Sequence, residues 1–362
     1  MNNEPRYYVP CLRWKQGEYQ AVLRLSADTR KILRPIIEVP EIGYDFENRR
    51  DIRTIDEHVS SIARRVREKW GIQRCFVDMH LIESLGNLIT GQHPFTYVFD
   101  GLRLEGVSAI PMVNLEQGTA CENAIAGISA VDKRGVCIRI SLEEAAKHDI
   151  AASIEGLLRL YNIGADECDF VLDLGAPNFV PIGGLAGILE SIIVKLPHRD
   201  DWRSLTLIGT SFPRSMGEVR SGVSIIPRNE WLLYTLLIEQ LGKSGTRIPA
   251  FGDYVINHPV IPALDMRFVK PFASVRYTID NAYLIVKGRN VRDYKFDQYR
   301  GLCGEVTRSR HYRGQSFSEG DKYIYGCAHG TESTGRLTTW RWVGTNHHLE
   351  QVAGDIANLS FS

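Results

Sequence analysis

Apolar residues in this chain gather into eight short, β-rich runs separated by longer stretches with helical spacing. The runs are Tyr7–Leu12, Pro35–Val39, Arg74–Asp78, Ser108–Val113, Val136–Ile140, Asp169–Leu174, Ser204–Gly209 and Ile248–Gly252. Short apolar runs rich in β-branched and aromatic residues suit strands buried on both faces. Thr54–Trp70 carries Ile55, Val59, Ile62 and Val66 on one helical face and is followed by Gly71, a residue that tolerates the left-handed turn closing a helix. Further helices are expected over Pro94–Leu104, Cys121–Val131, residues 142–162, Ile182–Leu196 and Asn229–Leu241. Ser141 and Glu144 have the spacing of a capping box. Gly17–Ile32 reads as a helix interrupted near Ser26-Ala27-Asp28.

Eight β-then-α units are the number that closes a parallel barrel with its helices outside. The pattern predicts an α/β fold: a (β/α)8 TIM-type barrel over residues 1–265, with a C-terminal hairpin-helix extension over residues 266–362 packed on it. In the extension, Ser274–Ile279 and Tyr283–Lys287 flank Asp280-Asn281 and read as a β-hairpin. A long loop is expected over Ser215–Ser224 and a Gly- and Arg-rich region up to Arg336. The stretch Trp340–Leu359 should end as a helix. Asn346 is placed at its start, and Trp340 and Trp342 alternate with Arg341 as on a strand.

The length of 362 residues accommodates a barrel of ~250 residues and an appendage of ~100. Basic and acidic residues balance at 43 each, which argues against a uniformly basic nucleic-acid binder. Between Arg267 and Arg313, however, eleven Lys or Arg face four acids. That stretch is either a solvated surface or a docking face for an acidic or anionic partner. The seven cysteines include no C-x-x-C pair, so a zinc ribbon is unsupported and a reducing compartment is favoured. No apolar run approaches the ~18 residues a membrane span needs, and the N-terminus lacks a signal-peptide core. A cytoplasmic location without membrane contact is expected.

In a TIM-type barrel, chemistry gathers where the C-terminal strand ends share one mouth. The residues at or just past these ends are Lys15, Glu38, Asp78, Asn114, Arg139, Asp173, Thr210 and Asp253. Asp78, Asp173 and Asp253 are expected to converge there. Three carboxylates from separate strands suit Mg2+ or Mn2+, or general acid–base work. Lys15, Arg139, Glu38 and His80 complete the candidate set. The competing reading is a neutralised salt-bridge network capping the barrel. Thr210-Ser211, after the seventh strand, lies where many barrels bind phosphate, but without a Gly-rich cradle. Neither G-x-S-x-G, H-E-x-x-H nor a P-loop motif occurs, which argues against those chemistries. The adjacent His347-His348 cannot share a helix face as a zinc clasp.

Three blocks carry a resemblance: Tyr8-Val9-Pro10-Cys11-Leu12-Arg13-Trp14-Lys15-Gln16-Gly17-Glu18, Phe251-Gly252-Asp253-Tyr254, and Trp340-Arg341-Trp342-Val343-Gly344-Thr345-Asn346-His347-His348-Leu349. The chain resembles the phage "beta protein" family from residue 7 to about 357. Members occur in phages, satellite phages and bacterial genomes. The satellite-phage member belongs to an anti-phage defence cassette with a growth-inhibiting protein, Gop, whose killing it counteracts, and a small regulator. The resemblance implies a defence-cassette component that restrains a toxic protein partner, and it supplies no site residues. The residues themselves suggest the other reading, a metal-assisted hydrolase or phosphoryl-transfer enzyme acting on a phosphate-bearing ligand at the barrel mouth.

Overall fold

A computed structural model of the chain describes residues 7–260 and 270–359. Tyr8–Arg13, Ile36–Glu38, Cys75–Asp78, Ala109–Val113, Cys137–Ser141, Asp169–Asp173, Ser204–Gly209 and Ala250–Asp253 form a closed, all-parallel barrel in chain order. We number these barrel strands one to eight. Closure pairs strand eight with strand one, Phe251 lying opposite Tyr8 and Asp253 opposite Pro10. The barrel predicted from the eight apolar runs is therefore present.

The helices around it differ from expectation where polar residues compete for backbone bonds. Thr54–Trp70 divides into Ile55–Val59 and Ile62–Lys69. Thr54 and Glu57 form a capping box at its start. At the break the Ser60 hydroxyl donates to the Glu57 carbonyl at 2.9 Å, a local bond that competes with helix propagation. Residues 142–162 divide into Leu142–Ala145 and Ile150–Tyr161, with the Ser141–Glu144 capping box formed. Ser26 ends the first interruption by capping Ala27–Ile32, its side chain accepting from Thr29 N at 3.2 Å.

The extension is built around a three-stranded antiparallel sheet ordered Gly222–Pro227, Ala282–Asn290, Phe272–Ile279. The hairpin is as expected. The third strand, Gly222–Pro227, comes from the segment after barrel strand seven and overlaps the loop expected over Ser215–Ser224. Barrel and extension thus share a sheet, and the expected division between residues 265 and 266 lies outside the described residues. The Gly- and Arg-rich region forms one helical turn, Val291–Tyr294, and two longer helices, Tyr299–Arg308 and Glu319–His329. With the sheet they enclose a second apolar core containing Val275, Tyr299, Cys303, Ile324 and Cys327.

The terminal helix runs over Leu337–Ala357. Its first half buries Trp340 and Val343 in the extension core, and its second half buries Leu349, Val352 and Ile356 in the barrel core. Two expectations fail here. Trp340 and Trp342 lie on a helix rather than a strand, and Asn346 is internal rather than a cap. Gly344 and Asn346 are poor helix formers, and tertiary contacts explain their presence. A Cβ at Gly344 would sit 3.0 Å from the Arg276 carbonyl oxygen. Asn346 is fully buried; it accepts from Gly320 N at 2.8 Å and donates to the Ala21 carbonyl at 3.1 Å.

Candidate functional site at the barrel mouth

Successive strand side chains face opposite sides of the sheet. In this barrel the inward set includes Val9, Cys11, Ile36, Phe76, Met112, Cys137, Val171 and Ile208, which pack into one apolar interior. Two residues further along the same faces come Arg13, Glu38, Asp78, Arg139 and Asp173. Tyr254, just past strand eight, also packs inward. Strand register brings Arg13 opposite Glu38 and Glu38 opposite Asp78. A charged layer therefore caps the apolar one at the C-terminal end.

Arg139 organises that layer. Its Nη1 donates to Asp78 Oδ2 at 2.7 Å. Its Nε and Nη2 both donate to Asp173 Oδ2, at 3.0 and 2.7 Å. Nη2 also donates to the Tyr254 hydroxyl at 2.7 Å, and that hydroxyl donates to the same Asp173 oxygen at 2.6 Å. The second Asp173 oxygen accepts from Gly175 N at 2.8 Å. Asp78 Oδ1 accepts from His80 N at 3.0 Å and lies 2.9 Å from His80 Nδ1. Burial opposes the Asp78 charge, but His80 and Arg139 outweigh it and hold the carboxyl well below its usual range. Burial likewise lowers the His80 pKa, and Asp78 reverses the sign, leaving it raised. Burial would lower the Arg139 pKa too, but the surrounding anionic groups raise it well above normal.

Asp253 does not join this group. The expected convergence of Asp78, Asp173 and Asp253 is corrected by strand parity, because Asp253 lies on the outward face, beside Phe251 in the helix-facing core. There it accepts from the Tyr8 hydroxyl, accepts from Val255 N at 2.8 Å, and lies 2.9 Å from His348 Nε2. His348 Nδ1 is 2.8 Å from Thr278 Oγ1. His347 diverges from its neighbour, with Nδ1 2.8 Å from Asp321 Oδ2 and Nε2 2.7 Å from the Thr278 carbonyl. Asp253, Thr278, Asp321, His347 and His348 are all fully buried. They form a polar lock joining barrel, hairpin and terminal helix. Thr210 is buried as well, and Ser211 is engaged with Glu230 and Pro227, so neither offers an open phosphate cradle.

The three expected metal ligands are therefore not assembled. Among the described residues, Glu38, Asp78 and His80 bring ligand atoms within 4.8 Å of one another. This set fits Mg2+ or Mn2+ poorly. The Arg139 Nη1 already lies 2.7 Å from Asp78 and 3.6 Å from Glu38, where a cation's charge would fall, and Asp78 shifts the His80 pKa upward, against metal ligation.

Above the charged layer is a cavity of about 510 Å3 lined by Arg13, Lys15, Gly17, Glu18, Glu38, Tyr254, Asn257, His258 and Arg341, among others. Of the expected residues, Glu38 and Lys15 reach it, while Asp78, Arg139 and Asp173 support it from below. Glu38 Oε2 accepts from Arg13 Nε at 2.8 Å, whereas Oε1 has only the 3.6 Å approach of Arg139. Lys15 pairs at the rim with Glu41, 3.1 Å away.

Sequence reasoning missed Glu18, Arg13, Tyr254 and Arg341. Glu18 lies in Gln16–Leu23, just after strand one, and is buried. Its Oε1 accepts from Asn257 Nδ2 at 2.8 Å, and Oε2 has no partner. Burial raises its pKa despite the nearby Arg341 and Asn257. Arg13 and Tyr254 were legible from parity with Cys11 and Ala250. Arg341 was not, since only folding brings residue 341 against Gly17.

Among the described residues, no helix is long and apolar enough to cross a membrane. A search of curated proteins found no match. The family model described as Beta protein matches residues 8–354, almost the whole described chain and all three blocks of the resemblance. The chain thus belongs to the Beta protein family.

Proposed function

We infer that this chain is the restraining component of a phage-related defence cassette, and that it acts through hydrolytic or phosphoryl-transfer chemistry at the barrel mouth. Family membership supports the cassette role, with a toxic protein as partner. One observation carries the chemical reading. Glu38 and Glu18 line the same cavity, and each has one carboxyl oxygen without a hydrogen bond among the described residues. Two carboxyl groups facing one cavity are the arrangement that general acid–base chemistry uses. Glu38 is bound to Arg13 at 2.8 Å and lies 3.6 Å from Arg139. Burial favours the protonated form of Glu18.

In this reading Glu38 Oε1 takes a proton from the attacking water. Glu18 gives its proton to the leaving oxygen, so the pair ends with the proton exchanged. Arg13, Lys15 and Arg341 bind the anionic group. Asp78, Asp173 and Tyr254 are positioning residues that hold Arg139, and no step passes through a metal.

The test is growth of cells co-expressing the neighbouring toxic gene with wild type, Glu38→Gln or Glu18→Gln, each variant first shown to be folded by circular dichroism. Loss of protection by folded Glu38→Gln is the expected result. Full protection by both variants sinks the chemical reading and moves attention to the surface. Failure of wild type to protect sinks the cassette role.

A further inference from the structure

Arg276 and Arg341 meet in the crevice between barrel and extension, and among the described residues neither has a carboxylate within ion-pair distance. Both guanidiniums turn toward the Ile256 carbonyl, at 3.3 and 3.2 Å, and Arg341 also donates to Asn257 Oδ1. Two half-buried cations on one acceptor group are electrostatically costly. The cost is visible in Arg276, where burial first and the Arg341 charge second bring the pKa down to about 9.

A second cavity of about 370 Å3 opens on this pair. It shares Arg341 and Leu337 with the mouth cavity, so the two adjoin. Its described lining contains three cations, Lys270, Arg276 and Arg341, with hydroxyls from Ser215, Ser274 and Tyr299 and no Asp or Glu. The two fully buried arginines are paired, Arg139 with Asp78 and Asp173 and Arg228 with Asp355, and half-buried Arg30 and Arg134 each reach carbonyls of their own; Arg276 and Arg341 instead share one. A solvated surface explains an exposed lysine, but not two inward arginines that share one carbonyl and form no direct ion pair among the described residues. Guanidinium forks match the oxygens of a phosphoryl group, and the hydroxyls supply further donors.

We propose that the cavity around Lys270, Arg276 and Arg341 binds the phosphate group of a small phosphorylated ligand. This deepens the mouth reading and rests on it for the ligand's role as substrate. The phosphate is anchored beside Arg341, and the reacting bond extends into the cavity that holds Glu18 and Glu38. The anchoring itself is tested separately.

The probe is inorganic pyrophosphate, titrated by calorimetry into the full chain at low ionic strength. Wild type is expected to bind it, and Arg276→Met to bind at least tenfold more weakly. Thermal melting checks the variant. Because Arg276 forms no direct ion pair among the described residues, the ligand-free variant should melt no lower than wild type, whereas a purely structural arginine would lower the melting temperature when removed. Lys270→Gln, at an exposed position, gives a second reading with little risk to folding and should weaken binding severalfold. Absence of pyrophosphate binding by wild type, or unchanged binding in folded Arg276→Met, overturns the proposal. Asp173→Asn separates the two readings, since it should retain pyrophosphate binding while losing protection. Loss of binding in Arg276→Met together with full protection by both Glu38→Gln and Glu18→Gln leaves the anion site standing and removes the mouth chemistry.

Discussion

Arg139 donates twice to a single oxygen of Asp173, from Nε at 3.0 Å and from Nη2 at 2.7 Å. The other oxygen of Asp173 is held by a backbone amide, so the carboxylate is immobilised from both sides. Asp78 fills the remaining side of the guanidinium. This relationship makes the barrel mouth a rigid, charge-balanced floor.

Removing Arg139 should expose how much of that floor depends on one cation. Arg139→Met leaves Asp173 without its cation and Asp78 with His80 alone, in a buried layer. Breaking a buried pair in this way costs about 3–5 kcal/mol, read as a lower midpoint in urea denaturation. The same variant removes the charge that disfavours a metal at Glu38, Asp78 and His80. It should acquire Mn2+ binding, followed by electron paramagnetic resonance, that wild type lacks. Strong Mn2+ binding by wild type at neutral pH would refute the poor-fit argument.

Acid should destabilise the fold through Asp78, Asp253 and Asp321. Burial raises the pKa of each, but His80 and Arg139 at Asp78, His348 and Tyr8 at Asp253, and His347, Ser318 and Tyr277 at Asp321 lower it further, so the net shift is downward. A depressed folded pKa gives stability that is full above the unfolded value, about 3.9, and is lost as pH falls through the folded value. Urea midpoints should therefore drop steeply below about pH 4, and Asp321→Asn should flatten the drop.

Glu18 should act with the opposite sign. Its raised pKa means that its contribution is present at low pH and is lost as pH rises past the unfolded value of about 4.3. Glu18→Gln should raise the melting temperature at pH 7 and change it little at pH 4. A lower melting temperature at pH 7 would contradict the buried, half-satisfied carboxyl described above.

The buried lock predicts that barrel and extension unfold together. His348→Phe leaves Asp253 buried without its imidazole partner and should cost about 3–5 kcal/mol. Its unfolding should remain a single transition by tryptophan fluorescence and circular dichroism. Two separated transitions in wild type would show that the shared sheet and the lock do not couple the two cores.

Gly252 tests the barrel interior. An added methyl would meet the Val9 carbonyl oxygen at 2.5 Å and also the Ile208 side chain. Overpacking of this kind typically costs about 1–3 kcal/mol, so Gly252→Ala should melt lower than wild type.

The barrel was legible because its signal is local: eight apolar runs, helices between them, and the geometric requirement that eight parallel strands close. The hairpin around Asp280-Asn281 was legible for the same reason. Strand parity was also available, and applying it from Ala250 through Gly252 to Tyr254 would have turned Tyr254 inward and Asp253 outward. The helices at 299–308 and 319–329 were hidden by glycine and arginine. Gly320 has a packing reason, since a Cβ there would clash with the Val343 carbonyl.

What the sequence by itself determined is the repeating β/α plan and the positions of charges at strand ends, since both follow from short-range periodicity. What only tertiary structure decided is which charges meet. Glu18 and Glu38 share a cavity, Arg276 and Arg341 face each other across a crevice, and His348 reaches Asp253, separated from it by nearly a hundred positions along the chain. No periodicity encodes such meetings, because they depend on the extension folding back over the mouth and on two cores sharing one terminal helix.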